Sequence, residues 1–310
     1  MWLEEKVFCS KLVMGNLSSF EVNLDDFDIK DPTPLDENQK VALNRGKTNG
    51  RLDFSLQNLT DIPIQIFEFD ALVSLNISVN KIKFLPQALW QLSKLQSLDI
   101  SANELEFIPE EIGHLTDLKE LNLRHNLLTF LPDAFGQKLS ALQKVNLEYN
   151  RLKSLPSLSA LTELKELRLR YNKLSILPAH CGVIKGVLDL QNNMLTAFPP
   201  CETFKELTEL NLENNFIGEV PSSISCLVGL TKLNLPNNLV KHLPAELGAL
   251  VNLTELDLRE NCLESVPSTI GALVNLKKLN FSNNKLKVST LSFVASITFF
   301  FCNYLNSSNY

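Results

Sequence analysis

Four histidines, six cysteines and 35 acidic residues could in principle supply acid, base, nucleophile or metal chemistry, yet their spacing arranges none of it. His114, His125, His180 and His242 are dispersed, no His/Cys/Asp group has metal-ligand spacing, and no glycine-rich run has the form of a phosphate loop. His180-Cys181 is the one adjacent pair with nucleophile chemistry in it, but Cys181 falls on an apolar position and reads as a core thiol. No catalytic residue, cofactor or metal site is expected. Recognition chemistry is better represented, in Arg124, His125, Glu148, Tyr149, Arg168, Arg170, Tyr171 and Gln191. Tyr and Arg dominate interface hot spots because they combine large contact area with directional bonds.

These residues fall in four groups about twenty positions apart, so a repeat has to bring them together. The stretch Leu98-Asp99-Ile100-Ser101-Ala102-Asn103-Glu104-Leu105-Glu106-Phe107-Ile108-Pro109, continued by Ile112, Leu115, Leu118 and Leu121, returns along most of the chain. Its Asn recurs at Asn80, Asn103, Asn126, Asn150, Asn172, Asn193, Asn215, Asn238, Asn261 and Asn284, with Gln57 in the first place. A proline follows six residues later in every case but the last, from Pro63 to Pro267. Leu-x-Leu turns both leucines to one face of a short strand, and the strands must then stack in parallel. The Asn amide can bond backbone groups of neighbouring loops that would otherwise be buried without partners. Proline fixes the chain as it leaves the loop, and apolar residues every third position pack a return segment onto the leucines. One repeat cannot bury its own apolar face, so stability comes from neighbours.

This form resembles a leucine-rich repeat, which implies an α/β solenoid: a curved horseshoe with a parallel β-sheet on the concave face and short helical or extended segments on the convex face. Ile108-Pro109-Glu110-Glu111-Ile112-Gly113-His114-Leu115 and Val266-Pro267-Ser268-Thr269-Ile270-Gly271-Ala272-Leu273 are similar in particular to the intracellular Ras-group leucine-rich-repeat scaffolds, and to the arrays of the Scribble/Erbin polarity proteins. The resemblance covers residues 51–287. It implies a cytoplasmic, non-enzymatic scaffold that holds a signalling protein, such as a Ras-like GTPase or a phosphatase, on its concave face. A regulatory or sensor array belonging to a larger enzyme or receptor is the alternative.

On the solvent side of the strands, the column two residues before each Asn position reads Ser55, Ser78, Ser101, Arg124, Glu148, Arg170, Gln191, Glu213, Pro236, Arg259, Ser282. One residue before, it reads Leu56, Val79, Ala102, His125, Tyr149, Tyr171, Asn192, Asn214, Asn237, Glu260, Asn283. Bulk rises in the fourth to sixth rungs, where rungs ~4.8 Å apart place His125, Tyr149 and Tyr171 within roughly 10 Å. Arg168, in the column four before Asn, adds a third arginine. Two readings stand: a partner-binding patch, or charges that satisfy one another across strands, since Arg124, Glu148 and Arg170 alternate in sign on adjacent rungs and Arg168 can face Asp189. Lys81-Ile82-Lys83-Phe84 is similar to a phosphatase-1 docking motif, but Ile82 is a core position of its repeat.

A net charge of −6 argues against nucleic acid as a partner and leaves a basic peptide open. The dispersed cysteines (Cys9, Cys181, Cys201, Cys226, Cys262, Cys302) and the acidic opening Met-Trp-Leu-Glu-Glu-Lys point to a reduced, cytoplasmic setting, in which Asn76-Ile-Ser78 and Asn252-Leu-Thr254 are accidental sequons.

Residues 1–32 read as a flexible acidic tail and 33–50 as a capping helix, with Thr33 as N-cap, Pro34 in the first turn and Gly46 closing it near Arg45. Residues 51–287 form about eleven repeats with one continuous core. Cys181-Gly182, Lys185-Gly186 and Pro199-Pro200 exclude good helices from two of the return segments, so curvature should change locally between about residues 150 and 215. Residues 288–310 break the repeat, and Val288 to Leu305 carries no charge. A membrane anchor, a truncated or mistranslated terminus and a hydrophobic cap all fit that tail.

Overall fold

The computed structural model describes residues 35–69, 71–179 and 181–287. Eleven three-residue strands form one sheet in chain order: β1 Arg51–Asp53, β2 Ser74–Asn76, β3 Ser97–Asp99, β4 Glu120–Asn122, β5 Lys144–Asn146, β6 Glu166–Arg168, β7 Val187–Asp189, β8 Glu209–Asn211, β9 Lys232–Asn234, β10 Glu255–Asp257 and β11 Lys278–Asn280. All neighbours pair in parallel, each central residue opposite the next, as in Leu98 with Leu121 and Val145 with Leu167. From Leu52 to Leu256 these central side chains are at most 2% exposed, while the residues on either side face outward. The alternation follows from the two-residue period of a strand.

The asparagine ladder seals the loop after each strand. Leu105 N–H donates to Asn126 Oδ1 at 3.0 Å, and Asn126 Nδ2 donates to the Ile100 and Leu123 carbonyls at 3.0 and 3.1 Å. The pattern runs from Asn80, which bonds Leu59 N–H and the Phe54 and Ile77 carbonyls, to Asn284, which bonds Leu263 N–H and the Leu258 and Phe281 carbonyls. One amide thus ties two rungs together.

A short helical turn follows the proline in rungs one to four and eight to ten, the longest being α2, Asp133–Lys138. Its first bond returns to the proline carbonyl from the apolar residue three positions on, as in Leu89 N–H to Pro86 and Ile112 N–H to Pro109. Rungs five, six and seven have no such helix. The sequence anticipates rungs six and seven but not rung five, where one residue is missing: Leu158 stands two, not three, positions after Pro156. Without that residue the turn cannot close.

The helix before the first strand, α1, covers Glu37–Asn49 and ends later than expected. Gly50, at φ +65°, supplies the left-handed residue, and its N–H reaches the Gly46 carbonyl at 2.9 Å. Gly46 serves packing instead, since a Cβ there would lie 2.1 Å from Leu52 Cδ2. Thr33 and Pro34, like the expected tails 1–32 and 288–310, lie outside the described residues.

The residue before each asparagine position is left-handed in every rung, with φ between 52° and 60° from Leu56 to Asn283. Asn, Asp and Gly tolerate this region, whereas a β-branched side chain there is strained. Val79, at φ 55° and 46% exposed, is the clearest case. Val79→Asn is expected to raise unfolding stability by about 1 kcal/mol in a urea titration; no gain would mean that the strain is relieved elsewhere.

Candidate functional site

The left-handed column that strains Val79 carries aromatic rings in rungs four to six. His125 and Tyr149 stack with centroids 4.2 Å apart and planes 14° from parallel; Tyr149 and Tyr171 follow at 4.5 Å and 21°. The rung spacing makes this stack, since it matches the contact distance of parallel rings. In rungs seven to nine the same column becomes an amide ladder: Asn214 Nδ2 donates to Asn192 Oδ1 at 2.9 Å, and Asn237 Nδ2 to Asn214 Oδ1 at 2.6 Å. Four asparagines in that column, Asn192, Asn214, Asn237 and Asn283, were the sequence signal for its backbone conformation.

Arginines border the rings. The Arg124 guanidinium lies 5.1 Å from the Tyr149 centroid and that of Arg170 lies 4.9 Å from Tyr171. A side-chain hydrogen bond with Tyr171 is the main cause that raises the Arg170 pKa. Between them Glu148 is 7% exposed, with Arg124 Nε at 3.4 Å and Arg168 Nη1 at 3.9 Å from its carboxylate. Glu148, Ser78 (9% exposed) and Pro236 are buried and correct the expectation that their column faces solvent throughout; Glu148 is flanked by Arg124 and Arg168. Arg168 stands opposite Asp189 in register, but its ion pairs go to Glu148 and Glu166. Cross-strand pairing therefore holds for Arg124, Glu148 and Arg168. Arg170 has no carboxylate within ion-pair distance among the described residues.

Gln191 is turned away from the rings: its Nε2 donates to Glu213 Oε2 at 2.7 Å, and Glu213 Oε1 is 3.5 Å from Arg259 Nη2. That pair reaches across rung nine, where Pro236 offers no charge. A further column escaped the sequence reading, the first residue of each strand. Glu120 pairs with Lys144 at 2.9 Å, Glu209 with Lys232 at 2.8 Å and Glu255 with Lys278 at 2.7 Å. Its alternation of sign was legible in the sequence. Glu120, Lys144, Glu166 and Arg168 line a shallow depression of ≈ 350 Å³ with Asp99, Asn122 and Asn146. Ring stack and charged depression adjoin on the exposed face of the sheet.

Burial raises the Asp189 carboxyl pKa, against the lowering effect of the Gln191 backbone N–H on Oδ1 at 3.1 Å. A carboxyl raised on folding is penalised while ionised; the penalty is present above the folded pKa and disappears as pH falls through it. Asn occupies the same position in β4, β5 and β8. Asp189→Asn is therefore expected to stabilise at pH 7, by no more than about 0.5 kcal/mol, with a gain that shrinks on acidification. Unfolding titrations at both pH values check this, and a pH-independent gain would refute burial as its cause.

The remaining chemistry-bearing positions are structural. Cys181 and Cys201 are buried, burial pushes both thiols up to about 12, and Cys181 Sγ donates to the Pro178 carbonyl at 2.7 Å. His180 lies outside the described residues. Ile82 is fully buried, so the Lys81 to Phe84 motif cannot present it; Phe84 packs against Phe107 at 6.3 Å. Among the described residues no cluster of His, Cys, Asp or Glu could hold a metal, and no helix is long and apolar enough to cross a membrane.

An open parallel sheet of stacked rungs, sealed by asparagines and exposing one patterned face, defines a repeat solenoid of the kind that binds other macromolecules. A leucine rich repeat model matches residues 51–105, 114–178 and 229–286, and a second matches 206–227; the chain belongs to the leucine-rich repeat family. Solved structures share the fold. An internalin, InlF, from Listeria monocytogenes superposes at a TM-score of 0.69 with 23% identity over 82% of this chain and 73% of its own. The Drosophila Toll–Spatzle complex gives 0.70 and 26% over 79% of this chain, and the PEPR1–AtPEP1 complex 0.61 and 27% over 76%. The chain spans 35% and 38% of the matched chains in those two complexes. A comparison with curated proteins gives no match.

Proposed function

We propose that this chain is a non-enzymatic, cytoplasmic interaction scaffold in signalling that holds a protein partner on the sheet face at rungs four to six. The observation that carries this is the stack of His125, Tyr149 and Tyr171 bordered by Arg124 and Arg170. The left-handed position is common to all eleven rungs, but only the fourth to sixth place rings there, where four other rungs place Asn. Glu148 holds Arg124 and Arg168 in place; Gln191 forms the rim toward Glu213. The form of the repeat resembles Ras-group scaffolds, which makes a Ras-like GTPase or a phosphatase the partner class to try first.

A partner retained by the full chain is the measuring device. Tyr149→Ala is expected to weaken its affinity at least roughly tenfold. Ser282→Ala, an exposed change in rung eleven, should leave it unaltered. Equal affinities for Tyr149→Ala and the parent would move the site off the ring stack. The alternative, a sensor array of a larger enzyme or receptor, is favoured by the likeness to Toll and PEPR1. A transcript that continues in frame beyond Lys287 into a kinase, cyclase or nucleotide-binding domain would select that reading.

A further inference from the structure

The ring stack ends at Tyr171 and the amide ladder begins at Asn192, and the junction between them is chemically incomplete. Tyr171 N–H bonds the Gln191 carbonyl at 3.0 Å, so Arg170 and Tyr171 sit directly beside Gln191 and Asn192 of the next rung. Arg170 Nε and Asn192 Nδ2 are both withdrawn from solvent, and neither has a hydrogen-bond acceptor among the described residues. Buried donors left unpaired are rare and costly, so two of them on adjacent rungs, flanking a 40% exposed ring, call for an explanation. The Asn192 amide cannot help itself, because its Oδ1 already accepts from Asn214. Of the three arginines here, Arg124 and Arg168 share the buried Glu148, whereas Arg170 lies over the Tyr171 ring, hydrogen-bonds Tyr171 and meets the Asp189 charge only beyond ion-pair distance.

We infer that this junction is an anchor for one acidic side chain, Asp or Glu, of the protein partner, which turns the part-exposed Arg170 guanidinium and Asn192 amide out of their present cover and holds them beside the Tyr171 ring. The inference rests on the proposed function and names the chemistry that the ring stack selects. A cation without an ion-pair partner among the described residues matches a single negative charge, and a carboxylate has two acceptor oxygens to offer a guanidinium and an amide N–H. A dianionic phosphate would need a second free cation, which Glu148 withholds. The chain's own net charge of −6 disfavours acidic partners at long range, so the acid must be recognised by contact at this point.

The probe is a displayed library of random linear peptides, selected on the immobilised full chain and sorted by loss of binding to Tyr149→Ala. Replacing the acidic residue of such a ring-dependent peptide by its amide is expected to weaken binding to the parent chain at least roughly tenfold. On Arg170→Gln the same replacement should change affinity little, because the countercharge is already gone. Asn192→Asp suits the left-handed backbone and keeps the acceptor for Asn214, yet turns the donor into a carboxylate. It should weaken the acidic peptide and favour the amide peptide, with a melting curve like the parent's. Ring-dependent peptides that carry no acid, or that lose as much on Arg170→Gln as on the parent, overturn the inference and leave the ring stack as a binding site. Failure to select any ring-dependent peptide overturns the proposed function, and the inference with it.

Discussion

Asn126→Ala is expected to lose about 3 kcal/mol of unfolding stability and to melt roughly 5–10 °C below the parent. The side chain is 4% exposed, and its removal strands one N–H, that of Leu105, and two carbonyls, those of Ile100 and Leu123. Water has no path to replace those bonds without opening the loop between β4 and α2. Asn126→Asp keeps an acceptor for Leu105 but sets a buried carboxylate oxygen against the Ile100 and Leu123 carbonyls, so at neutral pH its loss should be at least as large as that of Ala and should shrink on acidification, when the protonated acid can donate. Asn284→Ala should cost less because that residue is only partly buried. The fourth rung lies inside the stack, so the loss should fall on the whole array's transition. Thermal and urea unfolding measure all three. If Asn126→Ala melted like the parent, the amide ladder would not be what closes these rungs.

The fold was legible because the repeat writes its geometry into the sequence eleven times. Leu98 and Ile100 announce the strand, Asn103 the sealed loop and Pro109 the exit, and each does in space what its type and spacing imply. The exceptions have local causes. Gly46 looked like a helix end because glycine usually marks one, yet here its missing side chain admits Leu52. Rung five lost its turn through one deleted residue after Pro156, a change invisible to a reading that looks for glycine and proline.

At the site, the sequence placed the right residues on adjacent rungs, since a fixed period carries His125, Tyr149 and Tyr171 into one column. It did not show that Glu148 is covered or that Gln191 pairs away from the rings. Those facts depend on side-chain rotamers and on which neighbour wins a given charge. Arg168 illustrates this: register offers it Asp189, but Glu148 and Glu166 take it, and neither choice is encoded in spacing.

Gly136→Ala tests how far the convex side controls the ring stack. Gly136 lies in α2 of rung four, and a Cβ there would stand 1.8 Å from the Ser157 carbonyl oxygen and 2.8 Å from its carbon, both backbone atoms of rung five. No rotamer change can relieve a clash with a main chain, so the two rungs must part on the convex side. Overpacking of this kind costs about 3 kcal/mol, at the upper end of what small insertions do. Gly218 is the internal control: nothing lies within 4 Å of the point a Cβ would occupy, and Gly218→Ala should be neutral or gain about 0.5 kcal/mol by restricting the unfolded chain. The same two rungs carry His125 and Tyr149, whose 4.2 Å contact lies on the opposite, sheet side. A wedge behind them therefore changes the tilt between the rings as well as the stability. Gly136→Ala is expected to show the full loss in urea unfolding and, while still folded, shifted ring-current signals for His125 and weaker partner binding. A variant that unfolds like the parent would show that the rungs slide past the added methyl. One that is destabilised with His125 signals unmoved would show that the sheet face is insulated from the convex side.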